Sequence, residues 1–545
     1  MNNRCQQNFY ITSPIYYVND VPHIGHAYTS IACDVQARFR RLQGMDVRFL
    51  TGTDEHGQKV EKSALARGLQ PQEFCDQVSA KFRELAQTLG LSHDDFIRTT
   101  EDRHKTCAQE FWRRLEERGF IYKDVYEGWY AVRDEAFYGE DELVEGRAPT
   151  GAEVTWHKEE SYFFKLSAFQ NKLLMLYEAA PDFVQPQSKM NEVLSFVRGG
   201  LRDLSISRTS FKWGIPLPKA YSSKLGESHE ISATNNEASS DNGSHIMYVW
   251  LDALTNYLSA LGFPDEKNAL YQNFWCNTSF SPVHIVGKDI LRFHAVYWPA
   301  FLMAADLPLP HSIFAHGWWT NQGQKISKSV GNVIDPLKEI DWIESLGSSK
   351  ETAIEYFKYF LLREVPFGND GDYSRANLIT RVNAELVNNI GNLVQRSLTM
   401  IYRNGEIVDI KGFDEGQELL KHGYVLQEKL AQKMNEFAYD QAIGEIIHFA
   451  SMCNIFINDK APWSLKKDGK IAEMNLVLST IAESLRIIAI SFQPFLPKLS
   501  AQIIDFLQLD QNSRKMACVD KKYVLLAGHK ISEPKIIFPR LITLT

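Results

Sequence analysis

Between Phe9 and about Glu116 the apolar residues switch twice from a short run to a helical period, and that alternation leaves few folds open. Phe9-Tyr10-Ile11-Thr12 reads as a strand. After it, Ile31, Val35, Phe39 and Leu42 recur every three or four residues, one buried face of a helix that Gly44 is placed to end. Val47-Arg48-Phe49-Leu50-Thr51-Gly52 reads as a buried strand, and a second helix follows through Val60, Ala64 and Leu65. Strands joined by helical crossovers run parallel, so this order predicts a parallel sheet. Ligands of such sheets lie at the carboxyl ends of the strands, where Asp54-Glu55-His56-Gly57 would emerge beside Pro22-His23-Ile24-Gly25-His26.

The second of these strings marks the start of the first helix, expected at His26 or Ala27. A helix N-terminus presents unpaired N–H groups and the positive end of its dipole to an anion. Two imidazoles separated by Ile24-Gly25 can reach one phosphate, and Gly25, lacking a Cβ, lets a flat nucleotide ring lie against the backbone. The string alone reads equally well as a capping histidine beside a packing glycine. Roughly three hundred residues on comes Gly323-Gln324-Lys325-Ile326-Ser327-Lys328-Ser329, then Gly331-Asn332. Its two lysines make a cationic clamp for phosphate or, more blandly, a solvated surface loop. No G-x-G-x-x-G follows the first strand, which counts against an NAD or FAD enzyme.

Together the two strings are similar to the paired signatures of class I aminoacyl-tRNA synthetases. Thr12-Ser13-Pro14-Ile15-Tyr16-Tyr17-Val18-Asn19, Thr51 to Gly57, Tyr248 to Tyr257 and Gly287-Lys288-Asp289-Ile290 most resemble the methionyl-tRNA synthetases, and the likeness spans nearly the whole chain. The resemblance implies an α/β fold: a class I Rossmann-like parallel-sheet catalytic domain, split by an insertion domain and followed by an all-α anticodon-binding helix bundle. It divides the chain into catalytic halves at 1–116 and 247–324, a connective insertion at 117–246, a lysine-loop and stem-contact region at 325–372, and a helical domain at 373–545. It further implies activation of L-methionine with ATP, accompanied by Mg²⁺, and transfer of the acyl group to the 3′ end of initiator and elongator methionine tRNAs.

By the same resemblance, His23, His26, Lys325 and Lys328 are the catalytic set, and Gly25, Gly287, Asp289 and Ser327 join them at ATP. Asp54 meets the methionine ammonium. Ile15, Tyr17, Trp250, Ala253, Leu254, Tyr257, Ile290, Phe293 and His294 surround the side chain, where Tyr257 and His294 can offer weak hydrogen bonds to the thioether. Asn392, Arg396 and Trp463 read the anticodon, with Trp463 stacking under a base. An aromatic-rich set at sheet ends is also what any core looks like, and Trp463 reads alternatively as a helix-packing residue. Tyr248-Val249-Trp250-Leu251 and Val283-His284-Ile285-Val286 are read as strands. A helix carrying Ile290, Phe293, His294 and Tyr297 on one face follows the latter.

From about Arg118 the texture turns aromatic and strand-like, in Phe120-Ile-Tyr122, Tyr126 to Tyr130 and Ser161 to Phe164. Many relatives carry a Cys-x-x-Cys knuckle in this insertion. Here Ala131-Val132-Arg133-Asp134 and Ala148-Pro149-Thr150 stand instead, so no zinc or other protein-bound metal is expected. Residues 222–245, rich in Ser, Asn and Glu, read as a disordered surface loop without a catalytic role. The seven scattered cysteines suit reduced packing thiols.

A hydrophobic fraction of 44% with 23% charged residues is that of a globular protein of several domains. Neither a spanning helix nor a targeting segment is read, so cytoplasm is the expectation, with no membrane partner. The chain lacks the appended oligonucleotide-binding barrel of longer family members, which favours a monomer. A net charge of −8 leaves RNA contact to local basic patches and base stacking. Two other classes stay open: a small-molecule nucleotidyltransferase, which would not need the helical C-terminal third, and a catalytically silent tRNA-binding paralogue.

Overall fold

The first strand is Asn8–Tyr17 and the first helix Ile24–Leu42, in a computed structural model that describes residues 7–18, 21–132, 136–218, 245–277, 280–321, 323–325 and 332–542. The helix begins two residues before the expected His26, because His23 takes extended backbone angles and caps it. It ends on Gly44, whose φ of +88° suits glycine and whose N–H returns to the Arg41 carbonyl.

Six strands form one all-parallel sheet in the order Asp95–Arg98, Asp46–Asp54, Asn8–Tyr17, Val283–Gly287, Ser312–His316, Val184–Gln185. The chain winds outward one way from the first strand and, after the insertion, the other way. That reversal places a crevice at the carboxyl ends of Asn8–Tyr17 and Val283–Gly287. Pairing of the first two strands slips by one residue between Thr12 and Ile15. Pro14, with no N–H to give to the ladder, sits in that bulge.

The insertion builds a separate antiparallel sheet, Ala136–Tyr138, Ile121–Ala131, Thr155–Phe164 and Leu204–Ser205. Its central pair runs ten residues in register, from Ile121 opposite Phe164 to Tyr130 opposite Thr155. The proposed loop at 222–245 lies outside the described residues except for His245, which is buried and bonds Ser207.

The reading of Tyr248-Val249-Trp250-Leu251 as a strand is corrected: the strand is Ile246–Met247 alone, and Val249–Leu254 is a helix. Trp250, Ala253, Leu254 and Tyr257 recur at three and four, a helical face that β-branched Val249 and aromatic Tyr248 disguise in a short window. The helix after Gly287 exists but is irregular. It opens with a 3₁₀ turn at Lys288–Ile290, widens to a π turn at Phe293–Tyr297 and becomes α-helical only over Trp298–Ala305.

Beyond Tyr373 helices dominate up to Phe506, and the segment to Ile542 returns across the preceding region, with the Tyr356 hydroxyl on the Pro539 carbonyl at 2.9 Å. At the bundle centre, Ile471–Phe492 is long and apolar enough to pass for a membrane span, contrary to the sequence reading. Of its 18-residue apolar window 94% is buried inside the protein, so its apolar circumference belongs to a core helix. One apolar core runs from the first strand and helix into these helices.

Candidate active site

The N-terminus of the first helix is built by its own histidines. His23 Nδ1 accepts the Gly25 N–H at 3.1 Å, and His26 Nδ1 accepts the His23 N–H at 3.1 Å. A ring nitrogen that accepts carries no proton, so each neutral imidazole holds its hydrogen on Nε2 and can donate there. The rings stack with centroids 3.8 Å apart. Burial depresses both: His23 falls to about 4, with Asp289 pulling weakly upward, and His26 falls well below its usual value through burial and the neighbouring His23. The pair is thus two neutral donors rather than two cations at pH 7. At Gly25 a Cβ would stand 3.0 Å from the His23 ring, a close approach that glycine avoids.

These histidines open into a cleft of ≈ 760 Å³ at the carboxyl edge of the sheet. The structure brings Ile15, Tyr17, Gly25, Asp54, Trp250, Ala253, Leu254, Tyr257, Gly287, Asp289, Ile290, Phe293 and His294 to its walls along with His23 and His26. Ile15 and Tyr17, two apart on one strand, share a face after the bulge. Trp250 lies flat on Phe293, ring centroids 3.6 Å apart and planes 6° from parallel. The Asp289 carboxylate folds over Gly287, where a Cβ would come within 2.5 Å of its oxygen, and accepts the Trp318 indole N–H at 3.1 Å.

The expectation that Tyr257 and His294 offer hydrogen bonds to sulfur is corrected. His294 Nδ1 donates to the Ile290 carbonyl at 3.0 Å, which leaves Nε2 to accept the Tyr257 O–H at 2.7 Å. Both protons are spent inside the wall, and burial lowers His294 to about 4, so no second ring proton becomes available near neutrality. The wall therefore presents aromatic surface to its ligand.

The lysine loop is only partly described. Lys325 ends the short strand Gln324–Lys325, which pairs with Trp319–Asn321, while Ser327 and Lys328 lie outside the described residues. At the insertion, Asp134 also lies outside them. Ala131, Tyr138, Ala148 and Ala152 pack there as a small apolar cluster. Among the described residues no group of three His, Cys, Asp or Glu is placed to hold a metal.

Sequence reasoning missed several cleft residues: Arg292, Asn256, His316 and Trp318, and Tyr138 and Thr150 from the insertion. His316 could have been found. Ile313-Phe314-Ala315 is a third apolar run ending in a polar residue and glycine, like those that end at Asp54 and Gly287, and His316 Nε2 accepts the Thr29 hydroxyl of the first helix at 2.7 Å. Tyr138 and Thr150 carried no such signal, because only the docking of the insertion brings them in.

In the helical part, Arg396 donates to Asn458 Oδ1 at 2.8 Å and to Asn454 Oδ1 at 3.1 Å, with its guanidinium carbon 5.8 Å from the centre of the Trp463 ring. Trp463 is 46% exposed, which sets it apart from a buried packing tryptophan, and Asn392 is exposed on the helix that carries Arg396. These three residues lie far in sequence from the cleft and line no part of it.

The family model for tRNA synthetases class I (M) matches residues 9–155 and 149–398, and that for the anticodon binding domain of methionyl tRNA ligase matches 414–543. A methionine–tRNA ligase of Rickettsia felis is 52% identical over 98% of this chain and 99% of its own length. The chain belongs to the methionyl-tRNA synthetase family. Its relative in Mesorhizobium japonicum, another methionine–tRNA ligase, is 44% identical over 98% of both chains. A Mycobacterium tuberculosis methionyl-tRNA synthetase solved in complex with methionyl-adenylate superposes with a TM-score of 0.88, at 43% identity, over 98% of this synthetase and 100% of that chain. The fold read from the sequence, a Rossmann-like parallel-sheet domain with a mainly helical anticodon domain, is that of this methionine–tRNA ligase family.

Proposed function

We propose that the cleft forms methionyl-adenylate from L-methionine and ATP and that the helical part reads the anticodon of the tRNA that takes the methionine. The observation that carries this reading is the convergence at one sheet edge of two neutral imidazoles on a helix N-terminus, a carboxylate at Asp54 and an aromatic wall. The methionine carboxylate attacks the α-phosphate. The bond to the β-phosphate breaks, its electron pair leaves with pyrophosphate, and the terminal ribose hydroxyl of the tRNA then displaces AMP from the acyl carbonyl.

No enzyme nucleophile is needed, so the protein acts by positioning and by stabilising charge on phosphate oxygens. His23 and His26 donate from Nε2. Lys325 and Lys328 supply the positive charge that the neutral histidines do not, with Ser327 and the Gly287–Asp289 turn completing the ATP site and Mg²⁺ entering with the nucleotide. Asp54 pairs with the ammonium. The flat Trp250–Phe293 stack gives the polarizable thioether an apolar partner.

For the tRNA, Trp463 offers a stacking face, with Arg396 and Asn392 beside it for base edges. The insertion folds without zinc, supported by the apolar packing of Ala131 and Ala148, where a knuckle would need thiolates. The synthetase works as a cytoplasmic monomer on initiator and elongator methionine tRNAs alike. ATP–pyrophosphate exchange across a panel of amino acids tests the central claim: methionine should exceed leucine and isoleucine in kcat/KM by about 10²-fold or more. Exchange that prefers another amino acid, or none, refutes it.

A further inference from the structure

Asp252 belongs to the helix Val249–Leu254 yet does not face the cleft. Its carboxylate is fully buried and takes one imidazole on each oxygen: His56 Nδ1 donates to Oδ2 at 2.7 Å and His104 Nε2 donates to Oδ1 at 2.7 Å. Both rings are buried too. Burial alone would raise this carboxyl, but the pull of the adjacent His56 and the hydrogen bonds from both rings outweigh it and hold Asp252 at about 2.

The three residues come from three parts of the chain; two of them, around Asp54 and Asp252, carry residues into the amino-acid site, and the third braces the second. His56 stands two residues after Asp54, on a segment pinned from its other side by the Trp213 indole N–H on the Glu55 carbonyl at 2.5 Å and by the Gly57 N–H on the Trp213 carbonyl at 3.0 Å. Asp252 stands between Trp250 and Ala253, which face the cleft. His104, on the helix Asp102–Glu117, also meets Ser259 Oγ through Nδ1 at 2.9 Å. Its one ring thus grips both ends of the stretch that bears Ala253, Leu254 and Tyr257, with Trp250 two residues before it.

We propose that Asp252 is a positioning residue that fixes the distance between the Asp54 carboxylate and the aromatic wall, and so sets the length of amino acid the site accepts. The inference rests on the roles given above to Asp54 and to the wall. A site anchored at both ends measures its ligand, and one methylene more or less is then worth about 10- to 200-fold in kcat/KM. An anchored wall discriminates; a loosened one relaxes around a longer side chain. A buried carboxylate with two short hydrogen bonds from elements roughly 150 and 200 residues away is the kind of joint whose loss moves a wall rather than a single contact.

The test is pyrophosphate exchange with L-methionine and with L-ethionine, its homologue longer by one methylene, on the full chain. Asp252→Asn should cut kcat/KM for methionine by about tenfold or more and that for ethionine by less, narrowing their ratio at least about threefold, with ATP KM within about twofold of the parent. His104→Asn, which leaves the His56 hydrogen bond in place, should narrow the ratio in the same direction by less, and it decides the matter where Asp252→Asn yields no folded protein. Equal losses for both amino acids, or an unchanged ratio, overturn the proposal. Asp54→Ala serves as the reference: an unchanged methionine KM there would refute the reading of the site itself, whereas a raised one with an unaltered ratio in the Asp252 and His104 variants refutes this inference alone.

Discussion

At His23 the ring proton sits on Nε2 because Nδ1 already accepts the Gly25 N–H, so capping the helix and the proposed donation to phosphate use opposite sides of one imidazole. Burial also ties this residue to pH. Unfolded, it protonates near its usual 6.5; folded, only near 4. Between those values the unfolded chain binds more protons, so the histidine's contribution to stability is intact above about pH 6.5 and is lost as pH falls towards 4. His23→Gln should flatten that acid-side loss, measured by urea unfolding from pH 7 to pH 4.5, and an unchanged slope would show that other groups carry it. The sequence placed the two histidines together at a helix start, the basis for the anion site proposed above. It did not disclose their charge state or how closely the His23 ring approaches Gly25, since both depend on where that ring turns.

Among the elements, the helix Val249–Leu254 was misread as a strand because six residues are too few to separate a helical period from a buried run. The insertion shows the opposite case. Its long strands were legible from their aromatic and β-branched residues, and the missing cysteines stood in plain view. Elemental analysis should find no stoichiometric zinc, and chelation by EDTA should leave exchange intact once Mg²⁺ is restored; about one zinc per chain would contradict the apolar knuckle. On the helical side, Trp463→Ala should leave exchange near the parent rate and lower kcat/KM for methionine tRNA at least about tenfold, as losing one base-stacking face implies. A substituted anticodon distinguishes reading from packing: if the ratio of charging between the two tRNAs survives the mutation, Trp463 reads nothing.

Across the whole molecule, the first helix joins the site to the helical bundle. Its amino end carries His23 and His26, while further along the Ala32 carbonyl accepts the Tyr439 hydroxyl at 3.1 Å, Gln36 Nε2 donates to the Met434 carbonyl at 3.2 Å and Arg40 donates to Asn435 at 2.7 Å. Buried Glu355 accepts the N–H groups of Lys498 and Leu499, and the shared apolar core passes behind these contacts. Sheet and bundle should therefore melt together. Calorimetry is expected to show one transition, and Tyr439→Phe should lower stability by about 1 kcal/mol without splitting it. Two resolved transitions would mean that the parts fold independently.

Local order along the chain determined the parallel sheet, the crevice at its carboxyl edge and the two strings proposed above to meet phosphate, because strand and helix periods and helix-end chemistry act over a few residues. Tertiary structure alone decided which side chains reach one another from afar: His316 against Thr29, Tyr138 and Thr150 at the cleft, the Tyr257 proton spent on His294, and Asp252 between His56 and His104. Such contacts depend on how separate layers dock, and docking is set by the summed fit of surfaces that no short window of sequence contains.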